Sequence, residues 1–232
     1  YNEGKNASWV ATQYAKGAGV VQYKTDWGAH VSTANISSGE IENTGWYVTA
    51  GNWQINTDTI GGEDVKVFSC MTDNSRIYAT MNSFGMTEKE GVYGTWDFWW
   101  YQYDGNNVIL IDLNTEPDGS GNGYQFRFGA AERFRLRQLN AGTPSDYMYT
   151  NTSYFNTGQW YHMKITRSPV GVWTVYRDGV LVDVTGGAGT NPVTENTYTS
   201  AKYMTILARA TDMIAFSDKK GDHSFIKKLG VD

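Results

Sequence analysis

The chain has one cysteine, Cys70, and four prolines in 232 residues. A single thiol forms no internal disulfide, and it supports neither a disulfide-stapled secreted scaffold nor a thiolate zinc site. No apolar run comes near the roughly 18 residues that span a bilayer as a helix. Positive charge is also scarce: 19 Lys and Arg stand against 24 Asp and Glu, a formal net charge of −5. General nucleic-acid binding needs an excess of clustered cations, so this balance argues against it. No segment keeps a helical period, and there is no internal repeat or low-complexity linker. A phosphate loop, a Gly-x-Ser-x-Gly elbow and a His-x-x-x-His pair are all missing. The chain opens at Tyr1 without a leader-like segment, which reads as an excised or processed piece of a longer polypeptide.

What remains is glycine and rings: 26 Gly, 16 Tyr, nine Trp and nine Phe. Such a composition reads as all-β with many tight turns. Residues 1–40 have few apolar runs and read as an N-terminal arm or extended segment, with a strand at Gly19–Tyr23. Residues 41–232 read as one domain. From Trp46 the strand signals come regularly. "WYVTAGNWQIN" predicts a hairpin turning at Ala50-Gly51-Asn52, and "VKVFSCM" with "SRIYATMN" predicts a second pair around Thr72-Asp73-Asn74. Asp178-Gly179 between two alternating runs predicts a further tight hairpin. Strands of this kind bury their apolar sides as a two-sheet antiparallel β-sandwich.

Period-two alternation assigns faces. In "YGTWDFWWYQYDG", Trp96, Phe98 and Trp100 fall on one side, and Asp97, Trp99, Tyr101 and Tyr103 on the other. Asp97 marks the second set as the wetter one. By the same rule Tyr124, Phe126, Phe128, Phe134 and Leu136 point inward. Gln125, Arg127, Arg133, Arg135 and Arg137 point outward, as do Trp160, His162, Lys164 and Thr166. Trp99, Tyr101 and Tyr103 are expected to share a solvated surface with the arginines and His162. Three readings of that surface stay open. It is a solvated face whose arginines pair with acids such as Glu132 and Asp97. Or it holds an acidic glycan by guanidinium forks and ring stacking. Or it is a protein contact anchored by Arg, Trp and Tyr, including contact with further copies of the chain. The candidate ligand residues are therefore Trp99, Tyr101, Tyr103, Arg127, Arg135, Arg137 and His162.

The loop "DLNTEPDGSGNG" places the oxygens of Asp112, Asn114, Glu116 and Asp118 close together, a density that suits calcium, although the spacing is not that of an EF-hand. An ordinary polar hairpin loop is the alternative. Glycoside cleavage needs two carboxylates about one bond, and the only cross-strand pair on offer is Asp97 with Asp112.

At "WYHMKITRSPVGVWTVYRDGVLVD" the sequence resembles laminin-G-like and related concanavalin A-like jelly rolls. The residues that carry the likeness are Trp160, His162, Met163, Ile165 and Thr166, then Tyr176, Asp178, Gly179, Leu181 and Val182. "YGTWDFWWY" is similar to another strand of that superfamily, and "NTGWYVTAGNWQI" to the first hairpin of such modules in phage and other viral structural proteins. The resemblance spans roughly residues 40–216 and implies a β-sandwich that binds glycans, in some branches with calcium. It also implies a virion or extracellular setting. Other branches cleave polysaccharides. Their hydrolase acid run is absent here, and their lyases need an Arg, Gln, His and Tyr constellation for which Arg127, Arg135, Gln125, His162 and Tyr101 are the candidates. The expected function is thus a non-catalytic binding or structural module contacting glycans or neighbouring subunits, with a polysaccharide-cleaving enzyme as the alternative.

Overall fold

The computed structural model describes residues 13–14, 21–23, 35–41, 45–84, 86–103, 108–129, 131, 133–187, 189–208, 213–215 and 226–228. Its strands in chain order are β1 (Gln13–Tyr14), β2 (Val21–Tyr23), β3 (Gly39–Glu40), β4 (Tyr47–Ala50), β5 (Trp53–Ile60), β6 (Glu63–Cys70) and β7 (Ser75–Thr80). Then come β8 (Gly94–Gln102), β9 (Val108–Asn114), β10 (Gly123–Gly129), β11 (Arg133–Asn140), β12 (Thr143–Tyr149), β13 (Gln159–Arg167) and β14 (Val172–Arg177). The last are β15 (Val180–Leu181), β16 (Gly186–Gly187), β17 (Val193–Thr194), β18 (Tyr203–Ala208), β19 (Met213–Ala215) and β20 (Ile226–Lys228).

Two antiparallel sheets result. Sheet I runs β5-β6-β19-β8-β13-β14, with β15 and β17 on β14, and with β20, β2 and β1 extending from β8. Sheet II runs β16-β12-β11-β10-β9-β18-β7-β4-β3. The fold is the expected all-β two-sheet sandwich.

The core lies between the sheets and is built from rings, because each strand alternates large apolar with polar residues. Trp96, Phe98 and Trp100 of β8 have no exposed surface. Trp96 meets Phe126 of β10 edge-on at 5.4 Å and stacks on Trp173 of β14 at 5.6 Å. Phe98 meets Phe128 at 5.6 Å, and Trp100 meets Phe155 at 4.9 Å. One cation joins this core: Arg167, at the end of β13, is 1% exposed.

Two expected hairpins do not form. β4 pairs with β3 and β7 in sheet II, whereas β5 pairs with β6 in sheet I, so the turn at Gly51 carries the chain from one sheet to the other. Gly51 has φ +72, and a Cβ there would lie 1.9 Å from Ser75 Oγ. β6 and β7 likewise belong to different sheets, and the hairpin partner of β6 is β5, across Gly61-Gly62. Most of the expected arm, residues 1–40, lies outside the described residues. Its described pieces pair with the sheets: β2 with β20, Ile36 with Trp53, and β3 with β4.

The Asp178-Gly179 hairpin does form. Both residues have positive φ, +52 and +79, and Arg177 pairs with Val180 across the two-residue loop. The Asp178 carboxylate accepts a hydrogen bond from the His162 amide at 3.0 Å, which ties the turn to β13. Trp96→Ala is expected to lower the unfolding free energy by about 3–5 kcal/mol, because it empties a fully packed site. Gly179→Val is expected to cost more than about 1 kcal/mol through its positive φ alone. Equilibrium denaturation in urea checks both; a curve superimposable on that of the parent would contradict the assignment at that residue.

Candidate functional site

The outward residues of β8 and β13 form an aromatic face on sheet I. Antiparallel register sets His162 opposite Trp99, Trp160 opposite Tyr101, and Lys164 opposite Asp97. The rings touch in these pairs: Trp99 and His162 have centroids 4.9 Å apart, and Tyr101 and Trp160 5.4 Å. His162 Nε2 meets Asp97 Oδ1 at 2.5 Å, with both side chains roughly a quarter exposed. Tyr103 follows at the strand end and is 51% exposed.

This face is curled. Trp160 Nε1 donates to Asp58 Oδ2 of β5 at 3.2 Å, yet β5 is four strand positions from β13. In a flat sheet that separation is roughly 19 Å. The contact therefore requires the β5–β6 hairpin to bend over the outer face. β20 takes the place beside β8 at Thr95–Trp96 that β19 fills at Trp99–Tyr101, and among the described residues β6 pairs on that side with β19. Ile60 and Val67 of the hairpin then form a small second core with Val65, Trp99 and Trp160. Trp99 and Trp160 are thus half-buried, packed against the hairpin and still partly exposed.

The arginines are elsewhere. Arg127, Arg135 and Arg137 belong to β10 and β11 of sheet II and point away from the shared core, so the whole sandwich separates them from Trp99, Tyr101 and His162. The expectation of one shared surface fails because β8 and β10 belong to opposite sheets. Asp97 and Asp112 are divided in the same way and cannot flank one glycosidic bond. The lyase constellation splits likewise, with Tyr101 and His162 on sheet I and Gln125, Arg127 and Arg135 on sheet II.

On sheet II a polar rung crosses the outer face. In register order it runs Tyr47, Tyr78, Thr205, Asp112, Gln125, Arg137 and Asp146. Asp146 accepts from Arg135 Nη1 and from Arg137 Nε, each at 2.6 Å. Arg137 Nη1 donates to Gln125 Oε1 at 3.3 Å, and Gln125 Nε2 donates to Asp112 Oδ1 at 2.9 Å. A β-bulge makes this possible: Leu136 faces Met148 but Arg137 faces Asp146, so Tyr147 is skipped and Asp146 turns to the arginine side. Asp146, rather than Asp97, is the acid these arginines use; Glu132 lies outside the described residues.

The four expected calcium ligands do not converge. Asp112 is 3% exposed beneath the 115–122 loop, where a Cβ on Gly119 would lie 2.9 Å from its Oδ2. Asn114 Oδ1 accepts from the Glu116 amide, and Asp118 Oδ1 accepts from the amide and hydroxyl of Ser120. Each oxygen serves its own turn, Glu116 is exposed, and among the described residues no three His, Cys, Asp or Glu side chains are placed to hold a metal.

Burial pushes the Asp112 carboxyl up to about 7, against the Gln125 hydrogen bond and the charges of Arg76 and Arg137, which favour ionisation. Asp146 lies on the other side of its ordinary value: burial opposes ionisation, but the Arg137 hydrogen bond and the two guanidinium charges outweigh it and hold the pKa low. The folded protein keeps a proton on Asp112 that the unfolded chain releases near pH 4. Stability from this group is full below that pH, falls between about 4 and 7, and is level above, a span on the order of a few kcal/mol. Asp112→Asn is expected to flatten the stability profile across that window and to exceed the parent at pH 8. Urea midpoints from pH 4 to pH 8 measure this, and parallel profiles for parent and variant would contradict a protonated Asp112.

Among solved structures the chain is similar to the carbohydrate-binding module CBM66 from Bacillus subtilis, with 16% identity over 75% of this chain and 92% of that chain and a TM-score of 0.48. It is also similar to sheep galectin-11 in complex with glycerol, with 11% identity over 64% and 96% and a TM-score of 0.42. A protein of unknown function from Shewanella oneidensis MR-1 shows 13% identity over 81% and 86%, with a TM-score of 0.48. No curated protein sequence matches. The family model described as the concanavalin A-like lectin/glucanases superfamily matches residues 73–204. That match covers more than half of the chain, from the turn before β7 to the start of β18, and the chain belongs to the concanavalin A-like lectin/glucanase superfamily.

Proposed function

We propose that this chain is a non-catalytic binding module whose ligand is a glycan held on the curled outer face of sheet I. The observation that carries the reading is the pairing of Trp99 with His162 and of Tyr101 with Trp160 inside the curl. Ring faces left half-exposed in a concave site suit the C–H faces of sugar rings, while a few fixed polar groups orient the hydroxyls. Asp97, His162 and Asp58 supply those groups. The hairpin cluster and the Asp58 bond fix Trp160 before any ligand arrives, which lowers the ordering cost of binding. The division of Asp97 from Asp112 supports a binding role over hydrolysis.

The same rings suit a neighbouring subunit; the curl favours a narrow chain over a broad partner surface. A virion or extracellular setting for the module rests on the sequence likeness of residues 43–55 alone, since the hairpin that the likeness implied does not form.

A glycan array followed by titration calorimetry on its best hit tests this reading. Tyr101→Ala is expected to weaken that hit by about tenfold or more while a cooperative melt is kept. Lys202→Ala, just before β18 of sheet II, is expected to leave binding unchanged. Equal affinity for parent and Tyr101→Ala would move the site off this face. Shortened oligosaccharide products after incubation with the hit would replace the binding module with an enzyme.

A further inference from the structure

The β5–β6 hairpin is one antiparallel ladder in unbroken register, from Trp53 opposite Cys70 to Ile60 opposite Glu63. Its apolar side changes along the way. At the base, Trp53 and Ile55 with Phe68 and Cys70 are buried in the main core. The residues that continue this phase toward the tip are Thr57, Thr59, Lys66 and Asp64, all polar. In the other phase the order is reversed: Gln54, Asn56 and Ser69 stand near the base, and Ile60, Val65 and Val67 stand beyond it. Side chains two apart share a face of a strand. The ladder is therefore apolar on its inner face at the base and on the opposite face toward the tip. The change falls between the pairs Ile55–Phe68 and Asn56–Val67.

The two halves are held differently. The base is anchored in the core and at its edges. Trp53 meets Phe68 edge-on at 6.4 Å, Phe68 meets Trp46 at 6.1 Å, Phe68 and Ser69 pair with β19, and Ile36 pairs with Trp53. Among the described residues, the strand segments of 56–67 pair only with each other. They meet the body of the sandwich through Ile60, Val65 and Val67 packed on Trp99 and Trp160, a cluster separate from the main core, and through the Asp58–Trp160 bond at 3.2 Å. On the far side of the hairpin, Lys66 Nζ donates to Thr57 Oγ1 at 2.7 Å and Thr59 Oγ1 to Asp64 Oδ1 at 3.2 Å. Those bonds run between the two strands of the hairpin. Swinging the distal half away breaks the small cluster and the Asp58 bond, and leaves the ladder and the base whole.

We propose that the distal half of the β5–β6 hairpin, residues 56–67, is a lid over the rings of sheet I, and that it swings as a unit about the Ile55–Phe68 and Asn56–Val67 pairs. The closed lid covers part of Trp99 and Trp160. The open lid uncovers both, beside Tyr101 and His162. Two-stranded ribbons twist more than broad sheets do, so the hinge breaks no backbone bond. A unit with few buried apolar contacts of its own opens far more readily than the molecule unfolds. The closed state is the resting one, because it leaves Ile60 and Val67 each only 2% exposed. What the lid admits rests on the binding role proposed for this face; its motion does not.

Thiol labelling of Val67→Cys tests it. No ligand is present, so a face that binds no glycan leaves the result standing. The introduced thiol lies in the seal of the lid, and a small free thiol keeps that seal apolar. The native Cys70, with no exposed surface, lies at the anchored base and serves as the reference within the same molecule. The introduced thiol is expected to react about tenfold or more faster than Cys70. Its rate is expected to rise little with urea, because lid opening exposes little surface, while that of Cys70 rises with the slope of global unfolding. Asp58→Ala in the same background is expected to speed the introduced thiol and to leave Cys70 unchanged. Ile60→Cys, at the other sealed residue, is expected to give the same pattern, and it replaces Val67→Cys if that variant loses its cooperative melt. Two thiols that react at one rate with one urea slope, or an Asp58→Ala effect equal at both, would overturn the proposal.

Discussion

A cation buried at one end of the sandwich fixes how the two sheets meet. Arg167 sits at the core-facing end of β13. Its Nη1 donates to the Val92 carbonyl at 2.8 Å, and its Nη2 lies 3.1–3.2 Å from the Tyr124 hydroxyl, the Glu195 and Tyr198 carbonyls and Asn196 Oδ1. The guanidinium also lies 4.9 Å from the Tyr124 ring and 5.2 Å from the Trp173 ring. A charge taken out of water costs several kcal/mol unless its donors are met. Here the acceptors come from β10 of the facing sheet, from the turn before β8, and from the segment after β17. Those elements cannot shift independently without stranding the charge. Burial lowers the pKa of Arg167, while the charges of Tyr124 and Glu195 and the Tyr124 hydrogen bond oppose that shift. The strand that carries Arg167 also carries Trp160 and His162, and the strand that carries Tyr124 also carries Gln125 and Arg127. One inward clamp therefore sets the height of both outer faces.

What was legible in the sequence follows from the period of two. Trp96, Phe98 and Trp100 are buried where alternation placed them, and Asp97 and His162 face out. The same count places Arg167 in phase with Tyr161, Met163 and Ile165, so its burial was open to inference from an inward-phased arginine at a strand end. Partner choice was not legible. A Gly or an Asp-Asn turn looks alike locally whether the chain returns within one sheet or crosses to the other. Gly51 and the Asp73-Asn74 turn both cross. Long-range packing decides between the two outcomes, and no residue in the turn records it. That ambiguity merged two wet faces into one and joined the tryptophans to the arginines.

The remaining site residues escaped for a different reason, since they depend on irregularities. Asp146 reaches Arg135 and Arg137 only because the bulge at Tyr147 reverses its side. Tyr147, displaced by the same bulge, packs against the core and donates its hydroxyl to the Thr194 carbonyl at 3.1 Å. Asp58 reaches Trp160 only because the hairpin tip leaves the sheet plane. Alternation assumes a regular ladder, so it fails where a ladder bends, and bends bring distant side chains into one place.

The two outer faces have opposite solutions to one problem. A sandwich strand must put half of its residues on a side that the core does not cover. On sheet I the cover is apolar: the β5–β6 hairpin packs Ile60 and Val67 against Trp99 and Trp160 and leaves ring surface inside a curl. On sheet II the cover is polar. The 115–122 loop is held by bonds from Gly142 to the Gly121 carbonyl at 2.9 Å, from Ala141 to Asn122 Oδ1 at 2.7 Å, and from Thr205 to the Pro117 carbonyl at 3.3 Å. It closes over Asp112 and converts that end of the rung into a buried network. Such a network tolerates no unmet donor cheaply, so the polar chain runs on through Gln125 and Arg137 until it reaches Asp146, whose side chain is 26% exposed.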